Sequence, residues 1–238
     1  MRMPRKNLPN LPFKDRIQAG RLLGQALTED YANRSDVIVL ALPRGGVPVG
    51  FEVVRIIDAP LDIMLVRKLG TPGQEELAMG AIASGGVCVL NSDIVEAIGI
   101  SQDEIEAVAV IERQELQRRE YAYRGNQPPP VIENRYVMLV DDGLATGASM
   151  LAAVAALRQR KPASIVVAVP VAPVDTVKRL KQEADHVVCL ATPEPFRAVG
   201  CWYLDFPQTG DDEVKSLLVR AWAMHAPTTE SHDESRRH

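Results

Sequence analysis

The sequence predicts an α/β fold, a parallel twisted sheet flanked by helices, and three observations carry that prediction. Short, continuous apolar runs rich in Val and Ile, such as Val37-Ile38-Val39-Leu40-Ala41-Leu42 and Tyr136 to Val140, alternate with longer segments of helical periodicity. A strand that is apolar at every position is buried on both faces, and parallel neighbours are joined by crossover helices. Two of the runs end in glycine-bearing turns that open into helical segments, as strand ends do at the ligand crevice of an open α/β sheet. The chain has 238 residues, 46% of them hydrophobic, enough for one sizeable core. A single domain over 1–225 is expected.

Taken in order, Phe13, Ile17, Leu22, Leu23, Ala26 and Leu27 recur at near-helical spacing among charged residues, predicting an amphipathic helix over 13–31. The run 37–42 is a strand, Pro43-Arg44-Gly45-Gly46 a loop, and the segment through Val53, Val54 and Ile57 a helix. Leu61 to Val66 reads as the next strand, followed by Tyr136 to Val140, a helix over Gly147 to Gln159, and strands at Ile165 to Pro170 and Val187 to Ala191. Two segments fall outside this alternation. Residues 70–86 are rich in glycine and small side chains and read as a flexible loop with short strands. Residues 100–130 read as an exposed, charged helix over Ile100 to Arg124 and a Pro-rich linker at Pro128 to Pro130. Residues 192–210 form a hood-like segment, and the polar, aperiodic tail 226–238 is expected to be disordered.

Composition narrows the partners. A net charge of −4 gives no general attraction to nucleic-acid phosphates, so no nucleic-acid partner is expected. No apolar run reaches the length of a membrane span, and the basic first ten residues lack the apolar core of a signal peptide, so no membrane association and a cytoplasmic location are expected. Cys88, Cys189 and Cys201 are widely spaced, without a C-x-x-C pair, and read as reduced, mostly buried thiols. The segment Ile100 to Arg124 suits a homodimer contact and equally an exposed charged helix. His186 precedes a strand, and the remaining histidines fall in or near the tail; none is assigned chemistry.

The chemistry concentrates at residues 137–149, where an apolar strand runs into Asp141 and Asp142 and then a Gly/Thr turn opens a helix. Free amides at the helix start form an anion site, Thr146 and Ser149 add hydroxyls, and Gly147 lets the backbone approach a phosphate. Two adjacent carboxylates suit the vicinal hydroxyls of a sugar, directly or through a hydrated divalent cation. A ribose 5-phosphate satisfies both halves. A D-D-G stretch alone would be a helix cap and a turn; the strand-acid-acid-turn-helix context is what argues for the site.

These residues resemble the phosphoribosyl pyrophosphate-binding signature of type I phosphoribosyltransferases. The resemblance implies that Asp141 and Asp142 hold the ribose hydroxyls, with a water-mediated Mg2+ contact, and that Ala145, Thr146, Gly147, Ala148 and Ser149 wrap the 5-phosphate. Leu42-Pro43-Arg44-Gly45-Gly46 is similar to the family's pyrophosphate loop, in which a cis peptide is often held; Pro43 would make a cis bond before it inexpensive. Leu65-Val66-Arg67-Lys68-Leu69-Gly70 looks like the strand-end basic pair of adenine-type enzymes, although Arg67 and Lys68 serve equally as a solvated pair. From Phe13 to Val214 the chain also resembles a group of phosphoribosyltransferase-like proteins, some associated with erythromycin esterase-like domains, through F-K-D-R-I-Q-A-G, A-L-P-R-G-G-V-P-V, V-R-K-L-G and D-F-P-Q-T-G-D-D-E-V.

The activity this implies is transfer of the phosphoribosyl group to a nitrogenous, nucleobase-like acceptor with release of pyrophosphate. Arg44, Arg67, Lys68, Asp141 and Asp142 would be the catalytic set, and the 70–86 loop the lid. Hypoxanthine-guanine members carry an Asp where this chain has Ala145, which argues against a hypoxanthine-like acceptor. The segment Trp202 to Gln208 would supply aromatic faces to the acceptor, with at least one of its aromatics in the core. The alternative is a non-catalytic sensor of the same donor. A hydrolase with Asp141 as nucleophile would need further carboxylates at strand ends, and Asp62 only begins a strand.

Overall fold

The computed structural model describes residues 9–225; the expected disordered tail lies outside them. Five strands, β1 (Val37–Ala41), β2 (Leu61–Ile63), β6 (Tyr136–Val140), β7 (Ser164–Val171) and β8 (His186–Ala191), form an all-parallel sheet in the order β2-β1-β6-β7-β8. The period of two sorts their side chains between two cores. Val37, Val39, Ala41, Met138, Val140, Val166 and Ala168 face helices α1 (Arg16–Tyr31), α2 (Gly46–Ile57) and α7 (Asp211–Met224). Ile38, Leu40, Val137, Leu139, Ile165, Val167 and Val169 face α5 (Ala148–Gln159) and α6 (Val174–Glu183). Both faces are covered, which is why these strands read as unbroken apolar runs.

The first helix starts three residues later than its periodicity suggests. Asp15 caps it, accepting from the Gln18 amide at 2.7 Å, and the Phe13 backbone instead bonds the chain near residue 203. Three further expectations are corrected. The 61–66 strand is two strands: β2 ends at Ile63, and β3 (Val66–Thr71) begins a second sheet. The 70–86 segment is not a loop; Gln74 to Ala83 is the ten-residue strand β4, paired antiparallel with β3 and with β5 (Val87–Leu90). Its small residues permit close approach, for a Cβ at Gly80 would sit 2.4 Å from the Val89 carbonyl oxygen. After α3 (Ser92–Ile98), the charged helix α4 (Gln102–Arg124) is not simply exposed. It carries a Ser101/Glu104 capping box and buries Ile105, Ala109, Leu116 and Arg124 against β3, β4 and α7. Arg124 pairs with buried Asp62 at 3.0 Å. Among the described residues, no helix is long and apolar enough to cross a membrane.

Candidate functional site

The strand order places β1 and β6 side by side, while the chain leaves β1 for β2 on the opposite side. The loops that follow β1 and β6 therefore meet at the switch point of the sheet. After β1, the Leu42 amide donates to the Val140 carbonyl at 2.9 Å and the Gly46 amide to the Leu42 carbonyl at 3.0 Å, turning the chain into α2. A cis peptide lies in this loop, but between Pro43 and Arg44 rather than before Pro43. The two glycines are demanded by proximity. A Cβ at Gly46 would lie 2.7 Å from the Val140 carbonyl oxygen, and one at Gly45 would lie 2.0 Å from Asp142 Oδ2.

Asp141 and Asp142 occupy the end of β6. Asp141 Oδ1 accepts from the Asp142 amide at 2.8 Å, and Asp142 Oδ2 accepts from Arg16 Nε at 2.8 Å. Burial raises the Asp141 carboxyl well above the usual range, and the neighbouring Asp142 charge raises it further. Burial also raises Asp142, against the opposing pull of the Arg16 guanidinium. The Tyr203 hydroxyl donates to the Asp142 carbonyl, and burial drives that phenol upward. Of the two adjoining desolvated acids, Asp142 is thus compensated directly by Arg16, whereas Asp141 is held only by the neighbouring amide, an arrangement that suits hydroxyl donors or a shared cation.

The following loop is anchored on its inner side and open on its outer side. Leu144 is buried and its amide donates to the Val171 carbonyl at 2.9 Å; Thr176 Oγ1 donates to the Ala145 carbonyl at 2.7 Å. Gly147 takes φ +71° at the N-cap of α5, which has no capping side chain, and a Cβ there would strike the Thr176 methyl at 2.7 Å. Ala145, Thr146, Ala148 and Ser149 are exposed. The Ala148 amide makes a long 3.4 Å contact with Thr146 Oγ1, and the N-terminal end of α5 faces outward beside two hydroxyls, as an anion would require.

The structure thus brings together Pro43, Arg44, Gly45, Gly46, Asp141, Asp142 and the 145–149 loop. It engages the other basic residues elsewhere. Arg67 lies within β3 and pairs with Glu112 of α4 at 2.6 Å; Lys68, next along the strand, contacts the Glu76 carboxylate at 3.5 Å and its carbonyl at 3.1 Å. Neither stands at the end of a parallel strand, as the sequence suggested. Arg44 reaches Asp211 at 3.7 Å, and Asp211 also accepts from the Tyr123 hydroxyl at 2.6 Å.

Three contributors escaped sequence reasoning. Arg16 stood in the quoted F-K-D-R-I-Q-A-G stretch without a role, and its spacing of 126 residues from Asp142 carries no local signal. Tyr123 belongs to the charged helix read as exposed, and Asp211 stood in the quoted D-F-P-Q-T-G-D-D-E-V stretch without a role. In the hood segment, Tyr203 is buried between Phe13 (5.5 Å between centroids) and Phe206 (4.8 Å), so it is core. Trp202 is half-buried, its indole nitrogen without a hydrogen-bond partner among the described residues. The cysteines are less buried than expected: Cys88 and Cys189 are half-buried and Cys201 is exposed. His225 sits 3.4 Å from Asp58, away from the site.

Comparison with known proteins bears on the family of the chain. The family model for the phosphoribosyl transferase domain matches residues 14–202. Two Mycobacterium tuberculosis proteins, from strains CDC 1551 and H37Rv and both named "putative phosphoribosyl transferase", are 47% identical over 209 residues. That alignment takes in 88% of this chain and 47% of each relative, so the chain spans about half their length. The crystal structure of a Thermus thermophilus protein, 44% identical, superposes with a TM-score of 0.78 over 87% of this chain and 98% of that one.

Proposed function

Since the chain belongs to the phosphoribosyl transferase domain family, we propose that it transfers the phosphoribosyl group of phosphoribosyl pyrophosphate to a nitrogenous, nucleobase-like small molecule, releasing pyrophosphate. The observation that carries this reading is the packing of the Gly45-Gly46 loop against Asp141 and Asp142 at the switch point, beside an exposed anion loop.

In this reading the 5-phosphate accepts from the backbone amides and hydroxyls of residues 145–149, and Asp141 and Asp142 accept from the ribose hydroxyls. The diphosphate lies along Pro43 to Gly46, where Arg44 offers its guanidinium. The bond between the anomeric carbon and the diphosphate oxygen breaks as the acceptor nitrogen bonds to that carbon, through an oxocarbenium-like state. Fixed amides and Arg44 stabilise the charge that grows on the departing diphosphate, and enclosure keeps water from intercepting the sugar. Asp141 and Asp142 fit Mg2+ as a partial donor set. Among the described residues they have no third acidic, His or Cys neighbour, as suits a cation that keeps waters and shares the phosphates. When bound, Mg2+ would neutralise diphosphate charge. Arg67 and Lys68 join the diphosphate only if their pairs with Glu112 and Glu76 open. Those existing pairs favour the second reading, a donor sensor without turnover.

The test is calorimetric titration of phosphoribosyl pyrophosphate with Mg2+ into the wild type and an Asp141→Asn, Asp142→Asn double variant. Binding that the double variant loses is expected. Absence of wild-type binding would sink both readings, and an assay for pyrophosphate release against a panel of nucleobases separates transferase from sensor.

A further inference from the structure

Arg16 has no part in the mechanism above, yet among the described residues it is the cation paired with the acidic dyad. Its guanidinium is fixed from three directions. Nε donates to Asp142 Oδ2 at 2.8 Å, Nη1 donates to the Pro207 carbonyl at 2.7 Å, and the plane lies 3.8 Å over the Phe206 ring. Phe206 stacks in turn on Tyr203, and the Tyr203 hydroxyl returns to the Asp142 carbonyl. The pair is largely enclosed, with side-chain exposures of 11% for Arg16 and 13% for Asp142. The 203–207 segment therefore grips Asp142 twice, once through its backbone and once through its carboxylate, and the second grip passes entirely through Arg16.

A planar, delocalised fork can bond a carboxylate and a carbonyl while stacking on a ring; a lysine ammonium on a flexible stem lacks both the fork and the flat face. A carboxylate held in this way keeps one orientation, and only an oriented carboxylate can reward a correctly placed second hydroxyl. Released, Asp142 would rotate and hydrate, and the advantage of a vicinal diol over a single hydroxyl would fade.

We propose that Arg16 is a positioning residue that ties the 203–207 segment to the Asp142 carboxylate and thereby sets the site's preference for ribose 5-phosphate over 2-deoxyribose 5-phosphate. The proposal rests on the reading of Asp141 and Asp142 as the hydroxyl-binding pair. It makes the segment expected to face the acceptor a structural determinant of donor recognition.

The experiment measures binding of the two sugar phosphates, by calorimetry, to wild type, Arg16→Gln, Arg16→Lys and Phe206→Leu. Wild type should prefer the ribose compound by about 10-fold or more, the usual discrimination of a charged hydrogen-bonding group. Arg16→Gln should erase that ratio while affinity for the deoxy compound changes little, because the 145–149 loop is held by Val171 and Thr176 rather than by Arg16. Arg16→Lys should restore part of the ratio. Phe206→Leu should lower it and add little in the double variant with Arg16→Gln, as members of one network do. A wild-type ratio in Arg16→Gln, or equal loss of both ligands, overturns the proposal. If Arg16→Gln fails to fold, an unchanged ratio in Phe206→Leu does the same. Failure of the underlying reading looks different, for then the wild type itself shows no preference, and the proposal falls with it.

Discussion

Substituting Gly45 by Ala tests the packing of the two loops with a single methyl group. Gly45 has φ −62° and ψ −29°, a conformation in which alanine is unstrained, so the backbone does not object. The added Cβ would instead lie 2.0 Å from Asp142 Oδ2, 2.6 Å from its Cγ and 3.3 Å from Arg16 Nε. Contact between carbon and oxygen needs roughly 3.4 Å or more, so the carboxylate must retreat by over ~1 Å. That displacement carries the 2.8 Å bond from Arg16 beyond hydrogen-bonding distance and turns the acid away from any ribose hydroxyl. Loss of one charge-assisted hydrogen bond costs about 1.5–3 kcal/mol, which is roughly 10- to 150-fold in donor affinity. Gly46→Ala is the internal contrast. Its Cβ would meet the Val140 carbonyl oxygen at 2.7 Å and Asp141 Cα at 3.0 Å, both backbone, so the start of α2 would have to move off the end of β6. The cost there should be about 1–3 kcal/mol of stability. Calorimetric titration with phosphoribosyl pyrophosphate and urea unfolding read the two effects separately. Wild-type affinity in Gly45→Ala would refute the claim that the glycine exists to make room for Asp142.

Two other perturbations follow from ion pairs, one away from the crevice and one that engages Arg44 of the crevice loop. Arg124→Leu leaves buried Asp62 without its partner and should destabilise the fold by about 3–5 kcal/mol in urea unfolding. Burial already holds the Asp62 carboxyl above its ordinary value, with Arg124 opposing. Between those two values the native state binds more protons than the unfolded chain, so this contribution to stability falls as pH rises and returns on acidification. The Arg124→Leu penalty should therefore shrink as pH is lowered toward the ordinary carboxyl range, and a constant or growing penalty would contradict the assignment. Asp211→Asn removes the partner of Arg44, an exposed pair, and should raise pyrophosphate affinity by up to about 5-fold. The same change should bring down the Tyr123 phenol, which burial and Asp211 push up to about 12, as a spectroscopic titration would register.

Much of the candidate site was legible because it is local. Asp141 through Ser149 run consecutively off one apolar strand, and the strand itself announces double-sided burial by having no polar position between Val137 and Val140. Arg67 and Lys68 show where local reading stops. Their run, Leu61 to Val66, looks like one buried strand, yet the chain leaves the parallel sheet at Ile63, and the basic pair ends up inside an antiparallel strand with an acidic neighbour for each residue. Nothing in a short apolar run distinguishes one strand from two, because each sheet buries it equally well.

By itself the sequence determined the fold class, the succession of parallel strands and helices, and the acidic pair and turn that lead from β6 into α5. Each of these depends on residues adjacent in the chain and on periodicities of two and 3.6. Tertiary structure alone decided which cation reaches the acids, which glycine yields to which carboxylate, and that a charged helix buries Leu116 and Arg124. Those outcomes join residues far apart in the chain, Arg16 to Asp142 and Asp62 to Arg124, whose meeting depends on how sheets and helices pack rather than on any spacing along the backbone.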